Sequence, residues 1–127
     1  MEFAILFTLI NQYSVQNNLP AFILGQKFSD IAQKNAQYMA GQQALSNDGV
    51  GHWIFSNFIQ MRLLVKENVK RIVNIPIQIF ERLKIFTNFL LGNYTIIGIG
   101  SETISTFTCV CTDTYSTVDF LTSLKPF

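Results

Sequence analysis

The chain has 127 residues, of which 49% are hydrophobic and 13% charged, with 12 Phe and a formal net charge of +1. That size suits one domain, and the composition excludes a disordered chain. The near-neutral balance gives no electrostatic footprint for nucleic acid or an anionic membrane, and no run of about 18 uncharged apolar residues is available for a spanning helix.

The N-terminal run Phe3 to Ile10 is apolar but short, with Glu2 where a basic region would stand and no small-residue cleavage site. It reads as the start of a first helix, Phe3 to Asn17, and makes no convincing signal peptide. Asn17-Asn18-Leu19-Pro20 ends that helix, since Asn tolerates turn geometry and the proline blocks continuation. A second helix is expected from about Lys27 to Gln43. Phe28, Ile31, Ala32, Asn35, Ala36, Met39 and Ala40 fall on its i, i+3, i+4 stripe. The small alanines allow close approach to a neighbouring layer.

Ser46 to Gly51 is a loop rich in Asn, Asp and Gly. A third helix is expected over Trp53 to Leu64, with a short strand over Val65 to Val69. Arg62, Lys66, Lys70 and Arg71 then form the densest basic patch, read as a solvated helix edge. Pro76 opens a fourth helix reaching about Phe89, and Leu91-Gly92-Asn93 closes it.

Beyond that point the pattern becomes β-branched and aromatic. Tyr94 to Ile99 and Ile104 to Thr112 read as a hairpin around Gly100-Ser101-Glu102, with a last strand over Tyr115 to Leu121. Helices followed by strands point to an α+β fold. Cys109 and Cys111 are the chain's two cysteines. On a strand an i, i+2 pair has Cα atoms about 6.5–7 Å apart, at the outer limit for a disulfide, so both are read as small buried apolar residues. The spacing also fails to match CxxC metal or redox motifs.

Several segments resemble one known family in the right order. They are Asn11-Gln12-Tyr13, then Leu19-Pro20, the helix carrying Ala32, Ala36, Met39 and Ala40, the loop Ser46-Asn47-Asp48-Gly49, the triplet Glu67-Asn68-Val69, and Gly98-Ile99-Gly100. Together they look like the CAP superfamily, the secreted cysteine-rich, antigen 5 and pathogenesis-related 1 domain. The resemblance covers residues 1–127 as a single domain and is strongest over 7–111. It implies an α-β-α sandwich with helices packed on a small antiparallel sheet. It also implies an extracellular protein.

The same resemblance implies a central groove where two histidines stand with acidic partners, sometimes around a divalent metal. Here Asn47 and Ile85 occupy the histidine positions, and Arg82 stands where relatives carry serine or, in some branches, glutamate. Glu67 is the acidic group retained. An amide, an aliphatic group and one carboxylate make a poor ligand set for zinc, so neither a metal nor a cofactor is expected. Two readings of Arg82 and Glu67 stand side by side: both side chains solvated at the cleft rim, the favoured one, or an ion pair between them across the groove. His52, the one histidine, lies at the loop-to-helix junction and reads as an exposed loop residue, the alternative being that it swings into the groove.

The function implied is a non-enzymatic binding domain with a degenerate cavity of Asn47, Glu67, Arg82 and Ile85, taking a lipid- or sterol-like molecule or a protein partner. The low charge density also favours self-association. Two alternatives stand beside it. One is a hydrolase-like activity using Glu67 and a neighbour such as Asp48, and the other a decayed paralogue without an intact site.

Overall fold

The computed structural model describes residues 3–46, 61–70, 75–83, 94–105 and 111–121. In chain order the elements are α1 (Phe3–Gln16), β1 (Ile23–Leu24), α2 (Gln26–Gln42), β2 (Met61–Lys70), α3 (Ile75–Leu83), β3 (Ile96–Ser105) and β4 (Cys111–Leu121). The strands form one sheet in the order β1-β3-β4-β2. β4 pairs antiparallel with both β2 and β3, while β1 runs parallel to β3. The class is α+β as expected, with a mixed sheet in place of a wholly antiparallel one.

Successive residues of a strand point to opposite faces, and the two faces of this sheet carry different helices. Leu63, Val65, Ile97, Ile99, Val118 and Phe120 pack with Leu6 and Ile10 of α1 and with Ile79 and Phe80 of α3. On the other face Ile96 and Leu121 meet Phe28, while Tyr115 meets Met39 and Ala40, all three from α2. The helices therefore sandwich the sheet.

Local chemistry explains the helix ends. Asn18 sits at φ 62°, and the Leu19 N–H returns to the Ser14 carbonyl at 3.1 Å, closing α1. Ser14 also donates its hydroxyl to the Pro20 carbonyl at 2.9 Å. The Asn11 amide brackets Phe22, accepting from its N–H at 2.7 Å and donating to its carbonyl at 3.3 Å. That bracket fixes the chain entering β1. Tyr13 makes an edge contact with Phe80, centroids 5.7 Å apart, and joins α1 to α3.

α2 lies very close to β3. A Cβ placed on Gly98 would stand 2.5 Å from the Phe28 carbonyl carbon, and one on Gly100 would stand 2.2 Å from the Gln33 backbone nitrogen. Both glycines are strand residues with no positive φ, so close packing, and not turning, demands them. This corrects the expected turn at Gly100-Ser101-Glu102. β3 runs straight through those residues to Ser105, and its pairing with β4 ends at Ser105 and Thr112.

Two further expectations fail in the middle of the chain. Residues 61–64, assigned to a third helix, belong to β2, so strand pairing with β4 overrides their helix-compatible side chains. The basic patch is consequently no solvated helix edge. Arg62 is buried at its β4 contact, Lys66 is exposed on the strand, and Arg71 lies outside the described residues. The span 53–60 and the end of the fourth helix beyond Leu83 also lie outside them. Finally, Cys111 is disulfide-bonded, in contrast to the expected pair of small apolar thiols.

Candidate functional site

β2 carries Glu67 on the face shared with α1 and α3, and α3 supplies the arginine opposite. Arg82 lies in the last turn of α3, and its Nε donates to Glu67 Oε1 at 2.7 Å. The carboxylate side chain is 11% exposed, whereas the guanidinium side chain is 51% exposed. The pair therefore forms at a rim, with its anion sunk into the protein and its cation reaching solvent. The Glu67 hydrogen bond, and then its charge, hold the Arg82 guanidinium above its ordinary pKa. Of the two sequence readings, the ion pair is the one present, and the favoured one, two separately solvated side chains, is corrected.

The sheet surface beside Glu67 is polar. Glu67 stands opposite Thr114 in the β2–β4 register, and Thr114 shares a hydroxyl–hydroxyl hydrogen bond with Thr103 at 2.8 Å. One pair further along, the Ser101 and Ser116 hydroxyls meet at 2.7 Å. Toward Leu121 the same face turns apolar at Ile99 and Val118. Glu67 thus lies within the hydroxyl-lined half, with the Ser101–Ser116 pair between its row and the apolar core.

Of the four groove residues, Glu67 and Arg82 are brought together. Asn47 and Ile85 lie outside the described residues, as do Asp48 and His52. The start of the loop is visible at Ser46, whose carbonyl accepts from Asn35 Nδ2 at 2.8 Å. The same Asn35 nitrogen reaches Thr117 Oγ1 at 3.1 Å, so α2 ties the loop's entry to β4. Asn35 appeared in the sequence as part of an apolar stripe, and here it is a fully buried connector.

Among the described residues, no three His, Cys, Asp or Glu side chains converge as a metal site. A divalent ion approaching Glu67 would meet a carboxylate already bonded to a cation, a donor set that does not fit such an ion. A separate open depression of about 660 Å³ runs along α1, lined by Phe7, Thr8, Asn11, Gln12, Val15 and Gln16. Glu67 and Arg82 are not part of it.

A second ion pair escaped the sequence reading. Arg62 Nε donates to Asp119 Oδ1 at 2.6 Å and Arg62 Nη2 donates to Asp119 Oδ2 at 2.9 Å. The side chains are 1% and 0% exposed. Burial pushes the Asp119 carboxyl above its ordinary pKa, and the Arg62 hydrogen bonds and charge pull back only part of that rise. A sequence signal existed. Strand alternation puts Asp119 on the same inward face as Tyr115, Thr117 and Leu121, where an unpaired charge is untenable.

No family model and no curated protein sequence matches the chain. Among solved structures, it is similar to a cysteine-rich secretory protein from Staphylococcus aureus subsp. aureus Mu50, with a TM-score of 0.56 and 15% sequence identity. The alignment covers 91% of this chain and 36% of the staphylococcal one, so this chain spans about a third of its neighbour's length. At that identity the likeness speaks for fold alone, and among the described residues no helix is long and apolar enough to cross a membrane. The fold is CAP-like, in agreement with the resemblance carried by the sequence segments.

Proposed function

We propose that this chain is a non-enzymatic CAP-like binding domain that acts outside the cell and takes a sterol- or lipid-like molecule or a protein partner. The observation supporting this reading is the Arg82–Glu67 ion pair. A general base must be free to accept a proton, and a metal ligand must turn its lone pairs to the ion. Arg82 already engages one of the two Glu67 carboxylate oxygens. The family resemblance aligns Asn47 and Ile85 with its two histidines, and this reading takes the cavity as degenerate on that ground. The α1 depression, with Phe7 and Val15 among amide groups, offers an amphipathic surface to a ligand with an apolar body.

The test uses the fluorescent sterol dehydroergosterol as probe and p-nitrophenyl acetate as a hydrolysis reporter, on the wild type and on Glu67→Gln. Both proteins are expected to bind the sterol within about twofold of each other, and neither to hydrolyse the ester above buffer. Hydrolysis by the wild type that vanishes in Glu67→Gln would replace this reading with the hydrolase. Absence of sterol binding in both, with no protein partner recovered, would leave the decayed paralogue.

A further inference from the structure

A β-sheet ends in two rows of backbone N–H and C=O groups, and an uncovered row recruits another strand. The two ends of this sheet are finished differently. On the β1–β3 side, polar side chains stand in for a missing strand. The Asn11 amide takes both backbone groups of Phe22, at 2.7 and 3.3 Å. The Ile99 N–H donates to Ser29 Oγ at 3.2 Å. The Gln33 amide accepts from the Ser101 N–H at 2.9 Å and donates to the Ser101 carbonyl at 3.0 Å. Beyond these caps, Thr103 and Ser105 are the outward-facing residues left before β3 ends, too short a run to hold a strand.

β2 forms the other edge and has 10 residues. Backbone groups alternate sides along a strand. Ile99 bonds away from β4, so its partner Val118 turns toward β2, and Leu63 opposite Val118 turns toward β4. The N–H and C=O groups of Leu64, Lys66 and Asn68 therefore point outward, and among the described residues nothing bonds to them. Lys66 and Asn68 are exposed, and Leu64 is half-buried. The natural complement of such an edge is another extended backbone.

We propose that β2 pairs antiparallel with β2 of a second copy of this chain, joining two sheets into one. The unequal edges select this arrangement over a growing stack. A head-to-tail contact would seat β2 of one copy on the β1–β3 edge of the next, where Asn11, Ser29 and Gln33 already fill the row. Pairing of β2 with β2 instead uses up both open edges and stops at two chains. Side chains must stay on their own faces, so the longest overlaps place either Val65 or Lys66 on the two-fold axis. Lys66 on the axis would set two ammonium groups directly opposite each other, which is unfavourable. Val65 on the axis lays the Lys66 stem along Leu64 of the other copy. It also brings Leu63 and Val65, which belong to the same core layer in each copy, into one apolar row across the seam.

Sedimentation equilibrium of the full chain from about 1 μM to about 1 mM should show the mass rising from the 14.4 kDa of one chain to twice that value and no further. In the dimer the amide protons of Leu64, Lys66 and Asn68 should exchange at least about tenfold more slowly, while that of Ser101, on the capped edge, keeps its rate. Lys66→Pro removes one outward donor and no bond to β4, so it should keep the wild-type circular dichroism and remain a monomer at about 1 mM. A wild type that stays monomeric at about 1 mM overturns the proposal and leaves the edge to a foreign strand. Assembly beyond two chains overturns the closure of the β1–β3 edge. A dimer that survives Lys66→Pro, or whose Leu64, Lys66 and Asn68 amides still exchange at the monomer rate, overturns the β2 seam.

Discussion

Gly100→Ala tests how tightly α2 is seated on the sheet. The added methyl carbon would stand 2.2 Å from the Gln33 nitrogen, 2.3 Å from the Ala32 carbonyl carbon and 2.4 Å from the Gln33 Cα. All three are backbone atoms of a helix, so no side-chain rotation relieves the clash. Carbon contacts settle near 3.5 Å, so α2 must withdraw by roughly 1 Å, a gap that forfeits a quarter to a half of each dispersion contact beneath it. The withdrawal also stretches the Gln33 amide from β3, where it accepts from the Ser101 N–H at 2.9 Å and donates to the Ser101 carbonyl at 3.0 Å. Overpacking of about 1–3 kcal/mol and two hydrogen bonds at about 1 kcal/mol each give an expected loss of about 3–5 kcal/mol. Urea denaturation followed by circular dichroism measures it as a lower midpoint at unchanged slope. Gly41→Ala is the control. It lies on the same helix with nothing within 4 Å, so it should gain roughly 0.5–1 kcal/mol from reduced backbone entropy. A Gly100→Ala protein within about 1 kcal/mol of wild type would refute the close seating.

Other consequences are equally open to measurement. Asp119→Ala leaves the Arg62 charge buried without its carboxylate and should cost about 3–5 kcal/mol, whereas the double change Arg62→Met, Asp119→Leu should cost clearly less in the same urea assay. Because Asp119 titrates above its ordinary value in the fold, the native state keeps a proton that the unfolded chain has already lost. Its contribution to stability is therefore greatest at low pH and declines as pH rises from the ordinary carboxylate range through the raised value, a slope that Asp119→Asn should remove. Arg82→Met should lower the melting temperature slightly at low salt and not at all in 1 M NaCl, since its half-exposed guanidinium is screened. Asn11→Ala strips both partners from the Phe22 backbone and should cost about 1–3 kcal/mol by chemical denaturation.

Much of the helical frame was legible because its signals are local. The Asn17-Asn18 stop and the alanine-rich stripe place α1 and α2 within a residue of their observed ends. The sheet was harder to read. Gly100 resembled a turn because glycine serves both turns and close approach, and only the position of α2 tells the two apart. Met61-Arg62-Leu63-Leu64 carries ordinary helix formers, and their strand identity comes from pairing with residues some 57 positions away. β1 is two residues long and exists through hydrogen bonds from the Ile23 N–H to the Thr95 carbonyl and from the N–H of Gly25, just after it, to the Ile97 carbonyl. The Glu67–Arg82 contact was accessible because the resemblance set both residues beside one groove. Arg62 and Asp119 share no motif, so their partnership appears only once the register is known.

The division of the sheet face between Ile99–Val118 and Ser101–Ser116 gives the molecule a direction of failure. One end is held by exclusion of water, whose strength grows with buried apolar area, and the other by hydroxyl contacts that water can replace. Breathing of the β3–β4 ladder therefore starts at Ser105 and Thr112 and runs inward, so amide protons there exchange with solvent long before those of Ile97 and Phe120. Ser105 and Thr112 form the loosest stitch of that seam, which can open while the rest of the protein stays folded.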